Sequence, residues 1–145
     1  MKKAYTGEIR RINFLISEMD SLYHLADLRL GISDSVSLVL YALYDAGGQY
    51  PLGDIYKNSG ISKQTINSAI RGLEREGLLY LAQYHGRAKK VVLTDKGTQF
   101  AQQTAARLRQ AEEDAFASWT EEEIRTHIRL LEKYTECFRR EIEKL

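Results

Sequence analysis

The hydrophobic period of this sequence changes at Gly77. In the segment before it, residues 62–76, apolar side chains recur at spacings of three and four, as on one face of an amphipathic helix. In the segment after it, LLYLAQY (78–84) and KVVL (90–93) have a period of two, which predicts two strands joined by the loop HGRAK. A short helix that leads directly into a two-stranded ribbon is therefore the central feature of the predicted fold.

Three further helices are predicted before this segment. Residues 8–30 and residues 34–46 each carry apolar residues at helical spacing. Pro51 fits the first turn of a short third helix that ends near Asn58, because no intrahelical partner is needed for an N–H at that position. The residues NSGI (58–61) then form a tight turn, and Ser62 caps the helix that follows it.

The remainder of the chain is predicted to be helical. Thr94 can cap one helix, over residues 95–116, and Thr120 with Glu123 forms a capping box that opens the last helix. The apolar stripe of this last helix keeps 4-3 spacing to the end of the chain, at Ile124, Ile128, Leu131, Thr135, Phe138, Ile142 and Leu145.

The order of elements predicts the fold class. Three short helices with a tight turn before the third, followed by a hairpin, are typical of a winged helix-turn-helix. We therefore predict a mainly α fold with a small two-stranded β-wing, built as a single domain over residues 1–145. Within it, residues 34–97 form the winged helix-turn-helix lobe, and residues 1–30 and 98–145 form a helical dimerisation lobe.

The long helices at both ends of the chain have apolar stripes that so small a chain cannot bury. Association of two copies about a two-fold axis, through both termini, would cover these stripes. The predicted residues of this homodimer interface are Ile9, Ile12, Ile16, Ile128, Leu131, Phe138 and Ile142.

Charge is distributed unevenly, although the whole chain carries only +1. Residues 1–50 contain five Lys and Arg against six Asp and Glu, residues 51–97 contain eight against four, and residues 98–145 contain eight against ten. Only the centre is therefore basic, which indicates that it faces a polyanion; the alternative is an accidental imbalance of charge.

The outward face of the helix in residues 62–75 predicts what the basic centre binds. At about 100° per residue, Ile66, Ile70 and Leu73 share one inward arc, and the opposite arc holds Gln64, Asn67, Ser68, Arg71 and Arg75. Asn and Gln can bond the N6 and N7 atoms of adenine together, and Arg can bond O6 and N7 of guanine. This face is suited to read base edges in a major groove; the alternative is a solvated face that happens to be rich in amides. At the helix start, where unpaired N–H groups attract phosphate, the predicted contacts are Ser62, Lys63 and Thr65.

The hairpin loop adds basic residues to the predicted DNA surface. They are His85, Arg87, Lys89 and Lys90. A guanidinium on a narrow ribbon can enter a minor groove, where negative potential is concentrated. The alternative is an ordinary basic turn that protects a sheet edge.

The segment ISKQTINSAIRGLEREGLL, followed by HGRAKKVVLTDKG, resembles the DNA-binding lobe of the MarR (multiple antibiotic resistance regulator) family. The wing of that family usually reads D-x-R and is followed by an L-T pair; Arg87, Leu93 and Thr94 match, and His85 replaces the Asp. The resemblance implies a homodimeric transcriptional regulator that binds a pseudo-palindromic double-stranded DNA operator, with repression as the expected effect.

The resemblance also implies a cleft for a small aromatic ligand as effector, near Tyr23, His24, Tyr41 and Tyr44. The alternative is that these are core or interface residues. Such a ligand would act by favouring a dimer whose recognition helices no longer match the operator.

Other functional classes have little support. The sequence lacks a Gly-rich phosphate loop, an H-E-x-x-H motif and a nucleophile elbow, so we predict no enzymatic activity, no cofactor and no metal site. No apolar run approaches the roughly 18 residues that span a bilayer, and the cytoplasm is the expected compartment. Cys137, the only cysteine, is expected to be buried by packing; the alternative is a redox-sensing thiol. The remaining alternative is a helical interaction protein without a DNA role.

Overall fold

The computed structural model describes residues 4–145. The elements follow one another along the chain as α1 (Thr6–Leu30), α2 (Asp34–Asp45), β1 (Gln49–Pro51), α3 (Leu52–Ser59), α4 (Lys63–Arg75), β2 (Leu79–Gln83), β3 (Lys89–Leu93), α5 (Asp95–Gln103), α6 (Ala105–Phe116) and α7 (Glu121–Ile142). The predicted fold class, mainly α with a small β-wing, is confirmed.

The sheet has one strand more than the sequence predicts. The hairpin β2–β3 forms as expected, with Leu81 opposite Val91, but β1 pairs antiparallel with the other side of β3, and the strand order is β1-β3-β2. The sequence did not predict β1, because a run of three residues is too short to show a period of two. Pro51 is the last residue of β1 and the N-cap of α3, whereas the sequence placed it in the first turn of that helix.

The predicted helix over residues 95–116 is wrong, because the chain forms two helices that meet at Thr104. The backbone of Thr104 leaves the helical region, at φ −126° and ψ −81°. Its hydroxyl donates a hydrogen bond to the carbonyl of Phe100 over 2.8 Å, and such back-bonding by Thr bends helices. The apolar pattern continues through the break, so periodicity alone does not reveal it.

Side-chain caps at the starts of four helices form as the sequence predicts. The hydroxyls of Ser33, Ser62, Thr94 and Thr120 accept the backbone N–H three residues further on, at 3.0–3.2 Å. At α7 the carboxylate of Glu123 also accepts the N–H of Thr120 over 2.9 Å, which completes the capping box. These bonds hold the pKa of Glu123 below its usual value, and the bond from the backbone of Thr120 has the larger effect. Each cap satisfies donors that the first turn of a helix leaves unpaired.

The hydrophobic core lies in the region between α2 and the start of α6. Its fully buried side chains come from α2, α3, α4 and the two wing strands, and the largest are Leu40, Leu43, Ile55, Ile66, Leu79, Val39 and Val91. In contrast, α7 buries no residue and α1 buries only Asp27. Cys137, which the sequence suggested would be buried, is exposed on α7.

The N-terminus of α5 approaches the backbone just before β2 very closely. Thr94 donates its N–H to the carbonyl of Leu78 over 3.1 Å and its hydroxyl to the carbonyl of Gly77 over 2.6 Å. A Cβ atom on Gly97 would lie 1.7 Å from the same Leu78 oxygen. Residue 97 is therefore restricted to glycine by the packing of α5 itself.

The chain divides into two compact units, one that ends at Leu108 and one that covers Arg109–Leu145. In the second unit, Phe116 and Trp119 meet edge to face at 4.8 Å between ring centroids, and Trp119 meets His127 at 5.4 Å. These contacts fix the corner between α6 and α7. The division into a winged lobe at 34–97 and a dimerisation lobe at 1–30 and 98–145, within a single domain, stays a prediction.

Two kinds of feature are not found in the described part of the chain. None of the helices in residues 4–145 combines the length and the apolar character needed to cross a membrane. Nor do three His, Cys, Asp or Glu side chains in the same residues come together as metal ligands would.

Candidate DNA interface

The helix α4 separates its apolar and polar faces as the angular analysis predicts. Ile66, Ile70 and Leu73 are at most 3 % exposed, and Ala69 is buried beside them. The opposite face is open to solvent and displays Gln64, Ser68, Arg71 and Arg75. The structure therefore presents two guanidinium groups, an amide and a hydroxyl together on one exposed helix surface.

The start of α4 is fixed by a hydroxyl pair. Ser62 accepts the N–H of Thr65 over 3.1 Å, and the two hydroxyl oxygens are 2.7 Å apart. Both residues are exposed, as is Lys63 between them. This arrangement leaves the neighbouring N–H groups of the first turn, and the positive end of the helix dipole, available to an anion.

Asn67 differs from the other polar residues of α4 because it is half-buried and already engaged. Its side-chain oxygen Oδ1 accepts a hydrogen bond from the hydroxyl of Tyr56 on α3. One helical turn earlier, the ammonium group of Lys63 lies 4.8 Å from the centroid of the same tyrosine ring. Sequence reasoning did not identify Tyr56, since nothing in a single sequence shows which residue of α3 faces α4.

The wing loop, residues 84–88, closes without the aspartate that the family pattern carries. Tyr84 donates its N–H to the carbonyl of Ala88 over 2.9 Å, and Ala88 donates to the carbonyl of His85 over 2.8 Å. The side chain of Gln83 donates to the carbonyl of Gly86 over 3.1 Å, and Gly86 has a φ of 53°, which favours glycine. The His85 ring packs on the ring of Tyr84 at 4.1 Å between centroids. Backbone bonds and Gln83 thus hold the turn that an aspartate would otherwise support.

The basic residues of the wing fall into two groups. Arg87 and Lys89 are exposed at the loop and the start of β3, and Arg87 makes no hydrogen bond or ion pair with any other described residue. Lys90 is half-buried, and its ammonium group donates to Oε1 of Gln49 on β1 over 2.8 Å. Of the predicted wing cations, Arg87 and Lys89 therefore project to solvent, whereas Lys90 is tied to the neighbouring strand.

The four predicted ligand residues do not share one environment. Tyr23 and His24 are exposed on α1, whereas Tyr41 and Tyr44 on α2 are half-buried and pack against the core. Nδ1 of His24 lies 2.9 Å from both carboxylate oxygens of Asp34. Their role in binding an effector stays a prediction.

A buried carboxyl group lies near this pair and was not predicted. Asp27 of α1 is 6 % exposed, and its Oδ1 atom has no hydrogen-bond partner among the described residues. Burial raises the pKa of Asp27, whereas the hydrogen bond from His24 lowers the pKa of Asp34. The sequence held one signal for this burial. Asp27 follows Tyr23 by four residues and precedes Leu30 by three, so it lies on the same helical line as these apolar residues.

The predicted dimer residues are exposed within the single chain. All seven, Ile9, Ile12 and Ile16 on α1 and Ile128, Leu131, Phe138 and Ile142 on α7, are 43–55 % exposed. Apolar side chains repeated along two long helices would be covered by a second subunit; the dimer itself stays a prediction.

The sequence match to a known family falls on the region that holds α2, α3, α4 and β2. Residues 30–88 match the MarR family, which spans the chain from the end of α1 to the wing loop. No curated protein matches the sequence significantly.

Solved structures share the fold along most of the chain. A MarR family regulator from Neisseria meningitidis is 19% identical, with a TM-score of 0.79 and 99% of both chains covered. A MarR family transcriptional regulator from Listeria monocytogenes, in complex with a 26mer DNA, is 22% identical, with a TM-score of 0.68 over 94% of this chain and 89% of that one. Bordetella bronchiseptica BpsR, whose DNA binding is regulated by 6-hydroxynicotinic acid, is 21% identical, with a TM-score of 0.65 over 86% of this chain and 98% of that one.

The predicted resemblance is thereby confirmed from two directions. The sequence match runs from the end of α1 to the wing loop, and the similar structures extend over β3 and the terminal helices as well. Residues 30–88 are thus similar in sequence to the MarR family, and the chain shares its fold with solved MarR family regulators.

Proposed function

We propose that this protein is a sequence-specific regulator that binds a pseudo-palindromic double-stranded DNA operator as a homodimer and represses transcription from it, in the cytoplasm. The observation that carries the proposal is the exposed face of α4, where guanidinium, amide and hydroxyl groups replace the mixed charges of an ordinary solvated helix. A relative with this fold is known in complex with a 26mer DNA, which supports the same use of the fold here.

Each residue of the surface has a proposed role. Gln64, Ser68 and Arg71 read base edges in the major groove, together with Asn67. Contacts to phosphate position the helix and come from Ser62, Lys63, Thr65 and Arg75. In the homodimer, two copies of α4 enter successive major grooves about 34 Å apart.

The wing supplies a second contact. Arg87 enters the adjacent minor groove and Lys89 assists from the start of β3. Lys90 contributes to the local positive potential and not to a direct contact, because its ammonium group is held by Gln49. His85 supports the loop through its contact with Tyr84.

An effector site is the least direct part of the proposal. BpsR, which has the same fold, is regulated by a small aromatic acid, and Tyr23, His24, Tyr41 and Tyr44 offer aromatic and hydrogen-bonding groups on α1 and α2. A small aromatic ligand would release DNA only if it binds the DNA-free arrangement of the dimer more tightly.

A helical interaction protein without a DNA role is the second candidate. The exposed apolar residues of α1 and α7 favour it. It leaves the polar face of α4 and the exposed cations of the wing without a purpose.

A salt titration tests the function. A duplex selected from a random pool should bind less tightly as salt rises, with log Kobs falling by about 0.9 per phosphate contact for each unit of log salt. Arg87→Ala should weaken binding while the oligomeric state is unchanged. Arg75→Ala, at a proposed phosphate contact, should also reduce this slope by about 1. Arg125→Ala, which removes the same charge from α7, is the matched control and should leave the slope unchanged. Binding that is absent, or indifferent to salt, would favour the second candidate.

A further inference from the structure

We propose that Tyr56 is a specificity-determining residue that fixes the orientation of the Asn67 amide, so that Asn67 presents its NH₂ donors to DNA. The inference rests on the proposed DNA-binding function and concerns which base pair α4 prefers. Tyr56 lies on α3 and acts through Asn67, so it is a positioning residue and not itself a reader of bases.

The contact between α3 and α4 restrains the amide from its carbonyl side. The hydroxyl of Tyr56 donates to Oδ1 of Asn67. The tyrosine ring is half-buried against the core, and its neighbour Ile55 is 2 % exposed, so the ring is held in place by packing. The amide of Asn67 therefore directs its oxygen toward α3 and keeps its nitrogen for other partners.

The position of Lys63 favours this orientation over the flipped one. A phenol hydroxyl can donate or accept, so a flipped amide could in principle donate to Tyr56 instead. The Lys63 ammonium group, 4.8 Å from the ring centroid, withdraws electron density from the ring through a cation–π interaction. A phenol with less electron density is a better donor and a poorer acceptor, which stabilises the bond to the Asn67 oxygen.

The fixed orientation changes the base that Asn67 can recognise. Bidentate recognition of adenine needs the amide oxygen to accept from N6 while the amide nitrogen donates to N7. Because Tyr56 occupies one lone pair of the Asn67 oxygen and turns that oxygen toward α3, the amide presents its NH₂ group, which needs acceptors. The O6 and N7 atoms of guanine and the O4 atom of thymine are the acceptors that the major groove offers. Asn67 should therefore favour guanine or thymine, and disfavour the adenine that a free asparagine prefers.

Selection of binding sites from randomised duplexes tests this inference in the full-length protein. Asn67→Ala should lose the sequence preference at one position of the site. At that position, the wild type should select guanine or thymine on the contacted strand. In Tyr56→Phe, the freed amide should shift this base pair toward adenine by about fivefold or more, the lower limit for a good bidentate contact. Preferences at the other base pairs, including those lost in Arg71→Ala, should stay as in the wild type.

Tyr50→Phe is the matched control. It removes a hydroxyl that also contacts an asparagine, because Asn58 donates to the Tyr50 oxygen over 3.1 Å, but Asn58 lies on α3 and not on α4. Its selected sites should equal those of the wild type. Thermal unfolding of both variants shows whether each hydroxyl is needed for folding.

A second variant keeps the test valid if Tyr56→Phe does not fold. Asn67→Asp retains an oxygen that accepts from Tyr56 and removes both amide donors, so the preference for guanine or thymine should disappear. The inference is overturned if Tyr56→Phe keeps the wild-type preference, or if Asn67→Ala or Asn67→Asp changes none. If the wild type selects no duplex at all, the proposed function fails first, and this inference fails with it.

Discussion

Asp27 on α1 is only 6 % exposed, and the Oδ1 atom of its carboxyl group has no hydrogen-bond partner among the described residues. Burial is the largest cause of its raised pKa, and the hydrogen bond from Ser37 opposes it. A raised pKa means that the folded state holds the proton more tightly than the unfolded state does. The contribution of Asp27 to stability is therefore fully present below pH 3.8 and is lost as pH rises through the raised value.

Asp27→Asn should stabilise the protein at neutral pH, because asparagine resembles the protonated acid and removes a buried charge. The advantage over the wild type should shrink as pH falls and vanish below about pH 3.8. Asp34 acts in the opposite direction, since its lowered pKa contributes stability that is lost on acidification, but it is unchanged in this variant. Thermal unfolding across a pH series measures the difference. Asp20→Asn, an exposed position on the same helix, is the control, and a wild type as stable as Asp27→Asn at pH 7 would contradict the account.

At the scale of elements, the packing of α5 against the backbone before β2 depends on Gly97. Gly97→Ala should destabilise the protein by about 1–3 kcal/mol, the usual cost of overpacking, because its Cβ would lie 1.7 Å from the carbonyl oxygen of Leu78. Urea denaturation measures the change in midpoint. Gly72→Ala on α4 is the control: apart from the chain neighbours and the backbone of α4 itself, no described atom lies within 4 Å of its added Cβ. Replacing a helical glycine should stabilise by about 0.5–1 kcal/mol. Equal effects in both variants would show that the approach of α5 is looser than the structure has it.

Elements with a repeating pattern were predictable from the sequence, and contacts between elements were not. The buried and exposed faces of α4 follow from periodicity alone, and the caps at Ser62 and Thr94 follow from residue type and position. β1 was missed because three residues carry no period. The break at Thr104 was missed because a hydroxyl bond to one carbonyl leaves the apolar pattern intact.

The same limit applies to the candidate site. The polar residues of α4 and the cations of the wing were found from their types and spacing. The engagement of Asn67 by Tyr56, and of Lys90 by Gln49, depends on how α3 and β1 lie beside their neighbours. Neither pair is close in sequence, so a single sequence holds no signal for them.

At the scale of the whole molecule, the exposed apolar residues of the terminal helices are the feature that the single chain leaves unexplained. Residues on α1 and α7 at helical spacing remain 43–55 % exposed, although both helices are long and regular. Burying apolar surface contributes roughly 25 cal/mol per Å² of favourable free energy. A second subunit that covers these stripes would therefore stabilise the pair substantially. A symmetric homodimer also explains how two copies of α4 could reach two half-sites.

Leu131→Glu should therefore convert the proposed dimer to monomers, because it places a charge within the apolar stripe of α7, where Leu131 is 55 % exposed in the single chain. Light scattering coupled to size exclusion measures the mass. Operator affinity should fall by about 100-fold or more, since linked half-sites gain affinity from effective concentration without new contacts. Lys133→Glu introduces the same side chain two residues further on, on the opposite side of α7, and should leave the mass unchanged. A dimer that survives Leu131→Glu would place the interface elsewhere, whereas a monomeric wild type with full operator affinity would remove the dimer from the proposal.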